Sequence, residues 1–354
     1  MSRGISFLER LLDAPGPSGF EFRAARVWMS EAESFAECWS DVVGNSYAAV
    51  RPEARPLILL AGHIDEIGLQ VTHADKSGLL YFGGIGGWDP QVLVGQRVRV
   101  LGAHGDVPGV VGRKAIHLME PKERDRAAKV KKLWIDVGAG SREELGELGV
   151  RVGDPAVLDA GMVRLAGDRV ASRAIDNRAG AFIVLEALRL VAAQEGRAGA
   201  VAVATAQEEI GYAGGGARAS AFGLSPDVAL VVDVTHATDV PEVDKSEVGD
   251  HSLGGGPVLT RGSATHPGVF EVLAETAEAR GIPYSIQAAP RRTGTDADAI
   301  HLARGGVPTG LVSVPNRYMH SPSEMVAVPD LFHTAELLAA FSERLEEGLD
   351  FNRN

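Results

Sequence analysis

Short, unbroken apolar runs alternate along this chain with stretches of helical period. The segments 56–62, 200–205, 228–232 and 309–314 are apolar almost residue by residue, the pattern of strands buried on both faces rather than one. Around them, apolar positions recur with helical spacing over 5–12, 21–35, 178–193 and 267–280, which predicts helices. The turn Pro15-Gly16-Pro17-Ser18-Gly19 divides the first two. Strands that need cover on both sides, alternating with helices able to supply it, predict an α/β domain. From 68 to 165 the texture changes to short β-prone pieces punctuated by glycine, such as Val98-Arg99-Val100-Leu101 and Leu133-Trp134-Ile135-Asp136-Val137. A small β-barrel inserted into the main domain is expected there, so that 1–67 and 166–354 form one domain and 68–165 the other.

Polar residues at the ends of these runs carry the candidate chemistry. His63 and Asp65 follow the first run, Glu208 and Glu209 the second, and Asp233 the third; His320 stands beyond the fourth, and Asp176-Asn177 precede the helix at 178–193. Open α/β sheets gather their sites at the carboxyl ends of strands, so these residues should converge. Each alone has a plain structural reading: His-x-Asp as a hydrogen-bonded pair, Asp-Asn as a helix cap, Glu-Glu as a solvated turn. The conjunction changes the picture. Two divalent ions about 3.5–4 Å apart need imidazoles, a carboxylate able to bridge, and further carboxylates to balance charge. An acid at the end of a run as apolar as 228–232 is led to the edge of the core, where a cation would compensate it. With Glu208 beside Glu209, one can bind metal while its neighbour takes a proton from water.

Composition removes several rivals. At 354 residues, 45% hydrophobic and 23% charged, the chain can bury a large core and is not a disordered tail. The single cysteine, Cys38, excludes an intrachain disulfide and a cysteine-built zinc site, leaving the cytoplasm as the default location. Acidic neighbours disfavour a Cys38 thiolate, and a small buried hydrophobe is expected. No run approaches the ~20 apolar residues of a membrane span, so no membrane partner is expected. A net charge of −12, from 35 basic and 47 acidic residues, argues against nucleic acid. The basic cluster at 122–132 is read as a solvated hairpin or an oligomer contact. The remaining histidines, such as His236, His251 and His266, lack an apolar run leading to them and are expected on the surface or in structural roles. A Gly-x-Ser-x-Gly elbow, a phosphate-binding loop and a His-Glu-x-x-His helix are all missing from the sequence, which sets aside serine hydrolases, such nucleotidases and single-zinc proteases of that type. Gly214-Gly215-Gly216 superficially matches a dinucleotide loop but does not emerge directly from a strand, so a glycine-rich active-site loop is expected.

The motifs Gly62-His63-Ile64-Asp65-Glu66-Ile67-Gly68, Ala174-Ile175-Asp176-Asn177-Arg178, Gln207-Glu208-Glu209-Ile210-Gly211, Asp233-Val234-Thr235, Gly294-Thr295-Asp296-Ala297 and Tyr318-Met319-His320-Ser321-Pro322-Ser323-Glu324, in that order, resemble the signature series of the M42 metalloaminopeptidases. The resemblance covers nearly the whole chain. It implies a mixed sheet flanked by helices, of the dinuclear-zinc aminopeptidase type, with the inserted barrel serving dimerisation and dimers assembling into a hollow dodecamer. It further implies that His63, Asp176 and Asp233 hold one ion and that Asp176, Glu209 and His320 hold the other, with Asp176 bridging. Asp65 would orient His63 through a ring N–H, and Glu208 would be the general base. The implied ions are zinc or cobalt, and the implied substrates are short peptides with a free N-terminus.

Two other classes use the same inventory: a dinuclear amidase or deacylase acting on N-acyl amino acids, and a peptide-binding protein without turnover. A glycosidase ranks last, since its paired acid and base would not need histidine ligands. Asp296 is read as the N-cap of a helix over 297–304 and only secondarily as a pocket residue. Arg291-Arg292 would favour an acidic substrate side chain or merely solvate a loop, and Asp250-His251 has no assignment from the motifs.

Overall fold

The chain opens with helices Ser2–Asp13 and Phe22–Ala32, followed by strands β1 (Glu37–Ser40), β2 (Ser46–Val50) and β3 (Leu57–His63). This computed structural model describes residues 2–211, 214–345, 348 and 351. Six strands come next: β4 (Gly68–Ala74), β5 (Leu79–Ile85), β6 (Arg97–Gly102), β7 (Gly105–Arg113), β8 (Leu133–Asp136) and β9 (Pro155–Leu158). They close into a barrel in the order β4-β5-β8-β7-β6-β9. Its interior is filled by Leu69, Val71, Leu80, Phe82, Val98, Val100, Leu133 and Ile135, and in β6 Val98 and Val100 point in while Arg97 and Arg99 lie outside, as the two-residue period requires. The glycine-punctuated texture between 68 and 165 therefore folds as a barrel. β10 (Val163–Leu165), also within that stretch, lies outside it and pairs with β11 (Arg169–Ser172).

The remaining strands are β12 (Gly199–Thr205), β13 (Val228–His236), β14 (Val258–Gly262), β15 (Ser285–Ala289), β16 (Thr309–Asn316) and β17 (Glu324–Ala327). The main sheet runs β1-β2-β12-β3-β13-β16-β14-β15. Its centre, β12-β3-β13-β16, is parallel, while β2 and β14 join antiparallel, so the sheet is mixed.

Alternation along β3 explains why its sequence is apolar throughout. Ile58 and Leu60 pack beneath Phe7, Leu11, Trp28, Phe182 and Phe341, from helices on one face. Leu57, Leu59 and Ala61 pack against Val201, Val203, Ala217 and Ile300 on the other. The helix Ile175–Ala193 crosses β3 so closely that a Cβ at Gly62 would stand 2.6 Å from the Gly180 carbonyl carbon. That approach sets His63, the next residue, against the first turn of the helix. Among the described residues, no helix is long and apolar enough to cross a membrane.

Several sequence expectations need correction. The 122–132 cluster is not a hairpin: it holds a short helix, Pro121–Arg124, and a 3-10 turn, Val130–Lys132, both exposed and bridging β7 to β8. The second helix ends at Ala32 rather than 35. Cys38 is only half-buried on the edge strand β1, where burial pushes its thiol up to about 11. The glycine run at 214–216 starts the helix Gly215–Leu224, with Gly214 as its N-cap in the left-handed region. A Cβ at Gly216 would collide with the Asn45 side chain, so these glycines serve close packing.

Candidate metal centre

His63 is the last residue of β3 and pairs with Thr205 at the end of β12. Asp233 was expected to close its strand; instead β13 continues to His236. β13 outruns β3, its pairing with β3 stopping at Val231–Ala61 while its pairing with β16 extends to His236–Asn316. Asp233 thus stands level with His63 at the buried C-terminal end of β3. Asp176 enters from the first turn of helix Ile175–Ala193, where it and Asn177 depart from helical geometry across a cis peptide bond. The Asn177 side chain fastens that turn, donating to the Val232 carbonyl at 2.8 Å and accepting from the Gly180 N–H at 2.9 Å. Glu208 and Glu209 follow β12 through Gln207, at φ 63°, and His320 lies between β16 and β17 at φ 59°. Such angles are sparsely populated by residues with a side chain, and they recur where a site must be held.

These elements converge on Asp176. Its Oδ1 lies 3.2 Å from His63 Nε2 and its Oδ2 lies 3.3 Å from His320 Nε2, one oxygen facing each imidazole. Glu209 Oε1 is 3.3 Å from His320 Nε2, while Glu208 Oε2 and Asp233 Oδ1 stand 3.8 and 3.9 Å from His63 Nε2. One donor atom from each of His63, Asp176 and Glu209 falls within 4.8 Å of the others. Both imidazoles turn Nε2 inwards and have Nδ1 engaged outside. His63 Nδ1 is 3.3 Å from Asp65 Oδ1, and His320 Nδ1 is 2.8 Å from the carbonyl of Gly87, just beyond barrel strand β5.

Asp65 also organises the backbone around it. Its carboxylate accepts from the Glu208 and Glu209 N–H groups, both at 3.1 Å, and from the Ser18 hydroxyl at 2.6 Å. Below this layer lies a buried ionic knot. Glu66 accepts from Arg173 and from Arg178 Nη2, the latter at 2.8 Å. Arg178, fully buried, also donates to the carbonyls of Leu11, Ala14 and Ile64, while Arg173 donates to Asp13. The two arginines therefore satisfy carbonyls left free at the end of the first helix, and tie that end to the segment carrying His63 and Asp65.

The electrostatics are those of a site short of positive charge. Burial opposes a proton on His63, but the charge of Glu208 and the bonds to Asp176 and Asp65 raise it well above the usual imidazole range. Bonds to Asp176 and Glu209 push His320 up to about 11. Burial also works to raise Asp176, yet its contacts with the two imidazoles hold it well below the ordinary carboxylate range. Burial likewise works to raise Asp65, yet its bond to His63 and those from Ser18 and the Glu209 N–H hold it below the ordinary range, whereas four acids go the opposite way. Burial, with Asp233, Asp296 and Glu209 nearby, pushes Glu208 up to about 10, and burial raises Glu209, Asp233 and Glu324.

Such a donor set fits divalent cations. Crowded buried carboxylates need compensation, and neutral imidazole and carboxylate oxygen are the donors that zinc and cobalt accept. Apart from its 3.3 Å approach to His320 Nε2, the buried Glu209 Oε1 has no hydrogen-bond partner among the described residues, which leaves an acceptor for a cation beside His320. Nitrogen and oxygen donors in this arrangement can hold cations and accept a proton from water.

Some residues read from the sequence lie elsewhere or act differently. Asp296 does not cap its helix, which spans only Ala297–Ile300; its side chain accepts from the Thr205 hydroxyl and is buried at the site's edge, where burial pushes it up to about 6. Local bonds supply the turn instead: Thr295 Oγ1 accepts from Ala297 N, and Asp298 accepts from Thr293 and Gly294 N–H groups. His251 is buried in a structural role between Ser285 Oγ and the Val248 carbonyl, Asp250 pairs with Lys245 at the surface, and His266 caps helix Pro267–Arg280. Glu324, Ser18, Glu66 and Arg178 took no role in the sequence reading. Glu66 and Glu324 stood inside recognised motifs, but an acid's neighbours are not legible from its spacing.

The profile of the family described as M42 glutamyl aminopeptidase matches residues 44–337. The chain belongs to the M42 glutamyl aminopeptidase family. Among relatives of this M42 protein, the lysyl aminopeptidase of Pyrococcus furiosus is 35% identical over 348 residues, spanning 97% of this chain and 98% of that protein. A TET aminopeptidase from the marine sediment archaeon Thaumarchaeota archaeon SCGC AB-539-E09 shares 34% identity and superposes with a TM-score of 0.91 over 97% of both chains. The Pyrococcus horikoshii TET1 peptidase, which can assemble into a tetrahedron or a large octahedral shell, shares 31% identity with a TM-score of 0.85, over 96% of this chain and 99% of that one.

Proposed function

We propose that this M42 protein is a metal-dependent aminopeptidase that releases N-terminal residues from short peptides using two divalent ions, zinc or cobalt. The observation that carries the two-ion reading is Asp176, whose oxygens lie 3.2 and 3.3 Å from the inward nitrogens of two different imidazoles. In this reading His63, Asp176 and Asp233 hold one ion, and Asp176, Glu209 and His320 the other. Bound divalent ions supply Lewis acidity, lowering the pKa of water and polarising a carbonyl.

The protein's own groups do the rest. Glu208 is not needed as a ligand in this scheme; the positive charge of bound ions would keep it ionised against the burial that raises it in their absence, and its carboxylate takes the proton of the attacking water and returns it to the leaving amine. Asp65 serves that role at one remove, holding the Glu208 backbone by its N–H and facing His63 Nδ1. The acidic surroundings of Glu208, Asp233 and Asp296 favour a substrate's protonated α-amine, which restricts cleavage to the first residue. The barrel is proposed as a dimerisation domain, with the chain forming a homo-oligomer like the TET peptidases it superposes on.

Glu208→Gln tests the scheme. Loss of a general base should lower kcat by about 10²–10⁴-fold while ion content stays at that of the unmodified protein. Full turnover of unblocked peptides by Glu208→Gln with its ions bound would refute the assignment. Cleavage of N-acetylated peptides alone would refute the aminopeptidase reading.

A further inference from the structure

The two candidate imidazole ligands are held in unlike ways. His63 sits in a central strand with its side chain 1% exposed, whereas the His320 side chain is 33% exposed on the loop between β16 and β17. That loop bends through two residues in the left-handed region, Tyr318 at φ 62° and His320 at φ 59°. Its base is tied by a pair of backbone bonds between Arg317 and Met325, both at 2.9 Å. A loop ligand needs more support than a strand ligand to keep its geometry.

Glu324, the first residue of β17 and 2% exposed, supplies that support. Its Oε1 accepts from the His320 N–H at 2.8 Å and its Oε2 accepts from the Asp176 N–H at 2.8 Å. One carboxylate thus spans the backbones of two candidate ligands that are 144 residues apart in sequence. Among the described residues, no other side chain bonds to both.

We infer that Glu324 is a positioning residue that fixes the spacing of His320 from Asp176, and so sets the affinity for the second of the two ions, the one within reach of Glu209. The inference rests on the two-ion reading above. Glu324 touches neither substrate nor ion in this role. It acts through the backbone, and its loss should be felt mainly at the His320 side, because His63 and Asp233 keep their places in the sheet.

The test is calorimetric titration of zinc or cobalt into metal-stripped protein, with ion content measured after dialysis. Glu324→Gln retains size and one acceptor but sets an amide NH₂ against one of the two N–H groups, so one bond is lost. Unmodified protein should bind two ions per chain. Glu324→Gln should bind the first nearly as well and the second about 10–100-fold more weakly, the range for lost support around a ligand. Glu324→Asp, which keeps the charge but retracts it by one methylene, should give the same order. Asp330→Asn is the control: Asp330 likewise holds the Gly254 and Gly256 N–H groups away from the site, so its variant should lower the melting temperature and leave second-ion affinity unchanged. Equal weakening of both ions, or a second ion bound as tightly in the Glu324 variants as in the unmodified protein, would overturn the inference. A single ion in the unmodified protein would instead overturn the two-ion reading and this inference with it.

Discussion

Glu21 offers a test of the reasoning that does not depend on metal. It precedes helix Phe22–Ala32, is 5% exposed, and directs Oε1 at two backbone donors, Gly19 N at 2.6 Å and Gln207 N at 3.2 Å. Burial, helped by the charge of Asp65 and opposed by those two bonds, raises its carboxyl from 4.5 to about 7. A folded-state value above the unfolded one means that the folded protein holds the extra proton between those limits. The contribution of Glu21 to stability is therefore fully present below pH 4.5 and is lost as pH rises through about 7. At about 1.36 kcal/mol per tenfold change in proton affinity, the loss amounts to about 3 kcal/mol above pH 7. Glu21→Gln removes the charge and can keep both bonds through its amide oxygen, at a position that lines a 580 Å³ cavity with Arg26, Asp41 and Gly44.

The variant should melt with the unmodified protein near pH 4.5 and above it at pH 8. With unfolding entropy of roughly 2.1 cal/mol/K per residue, about 3 kcal/mol is a difference of ~4 °C for this length. Melting curves of both proteins at half-unit pH steps from 4.5 to 8.5 give the difference directly, because other titrating groups cancel. A difference that does not change with pH, or a Glu21→Gln protein less stable at pH 8, would refute the account.

Other substitutions probe the supports of the site. Arg178→Met leaves Glu66 with one arginine and strips donors from the Leu11, Ala14 and Ile64 carbonyls; breaking such a buried pair costs about 3–5 kcal/mol, so the melting temperature should fall by ~4–7 °C, and a fall under ~1 °C would contradict this. Gly62→Ala sets a Cβ 2.6 Å from the Gly180 backbone, where no rotamer change gives relief; overpacking of this kind costs about 1–3 kcal/mol, and differential scanning fluorimetry with ion titration should show both stability and ion affinity reduced, whereas unchanged values would show that helix and strand can part freely. Removing two ions from a protein held at about 100 times their Kd withdraws about 2.7 kcal/mol for each, so a chelator should lower the melting temperature by ~7 °C; no shift would mean that the folded site does not bind them.

The apolar runs were enough to place β3, β12, β13 and β16 and to bring His63, Glu208 and Glu209 to one edge, because a strand buried on both faces leaves a one-dimensional signature and must end where cover ends. The texture between 68 and 165 likewise announced small, glycine-bounded strands. Those signals are local, and what they determine is local. That Asp233 stands beside His63 depends on β13 outrunning β3, a matter of register between strands more than 160 residues apart in sequence. Asp296 looked like a helix cap from its neighbours and is instead a buried acid bonded to Thr205, since Thr295 and Asp298 meet the needs of its turn. Glu66, Arg178 and Glu324 are ordinary charged residues in sequence, yet each bonds across more than 100 positions. Only the folded chain decides such pairings, because a buried charge must find its partner in space, and spacing along the chain does not record where that partner will be.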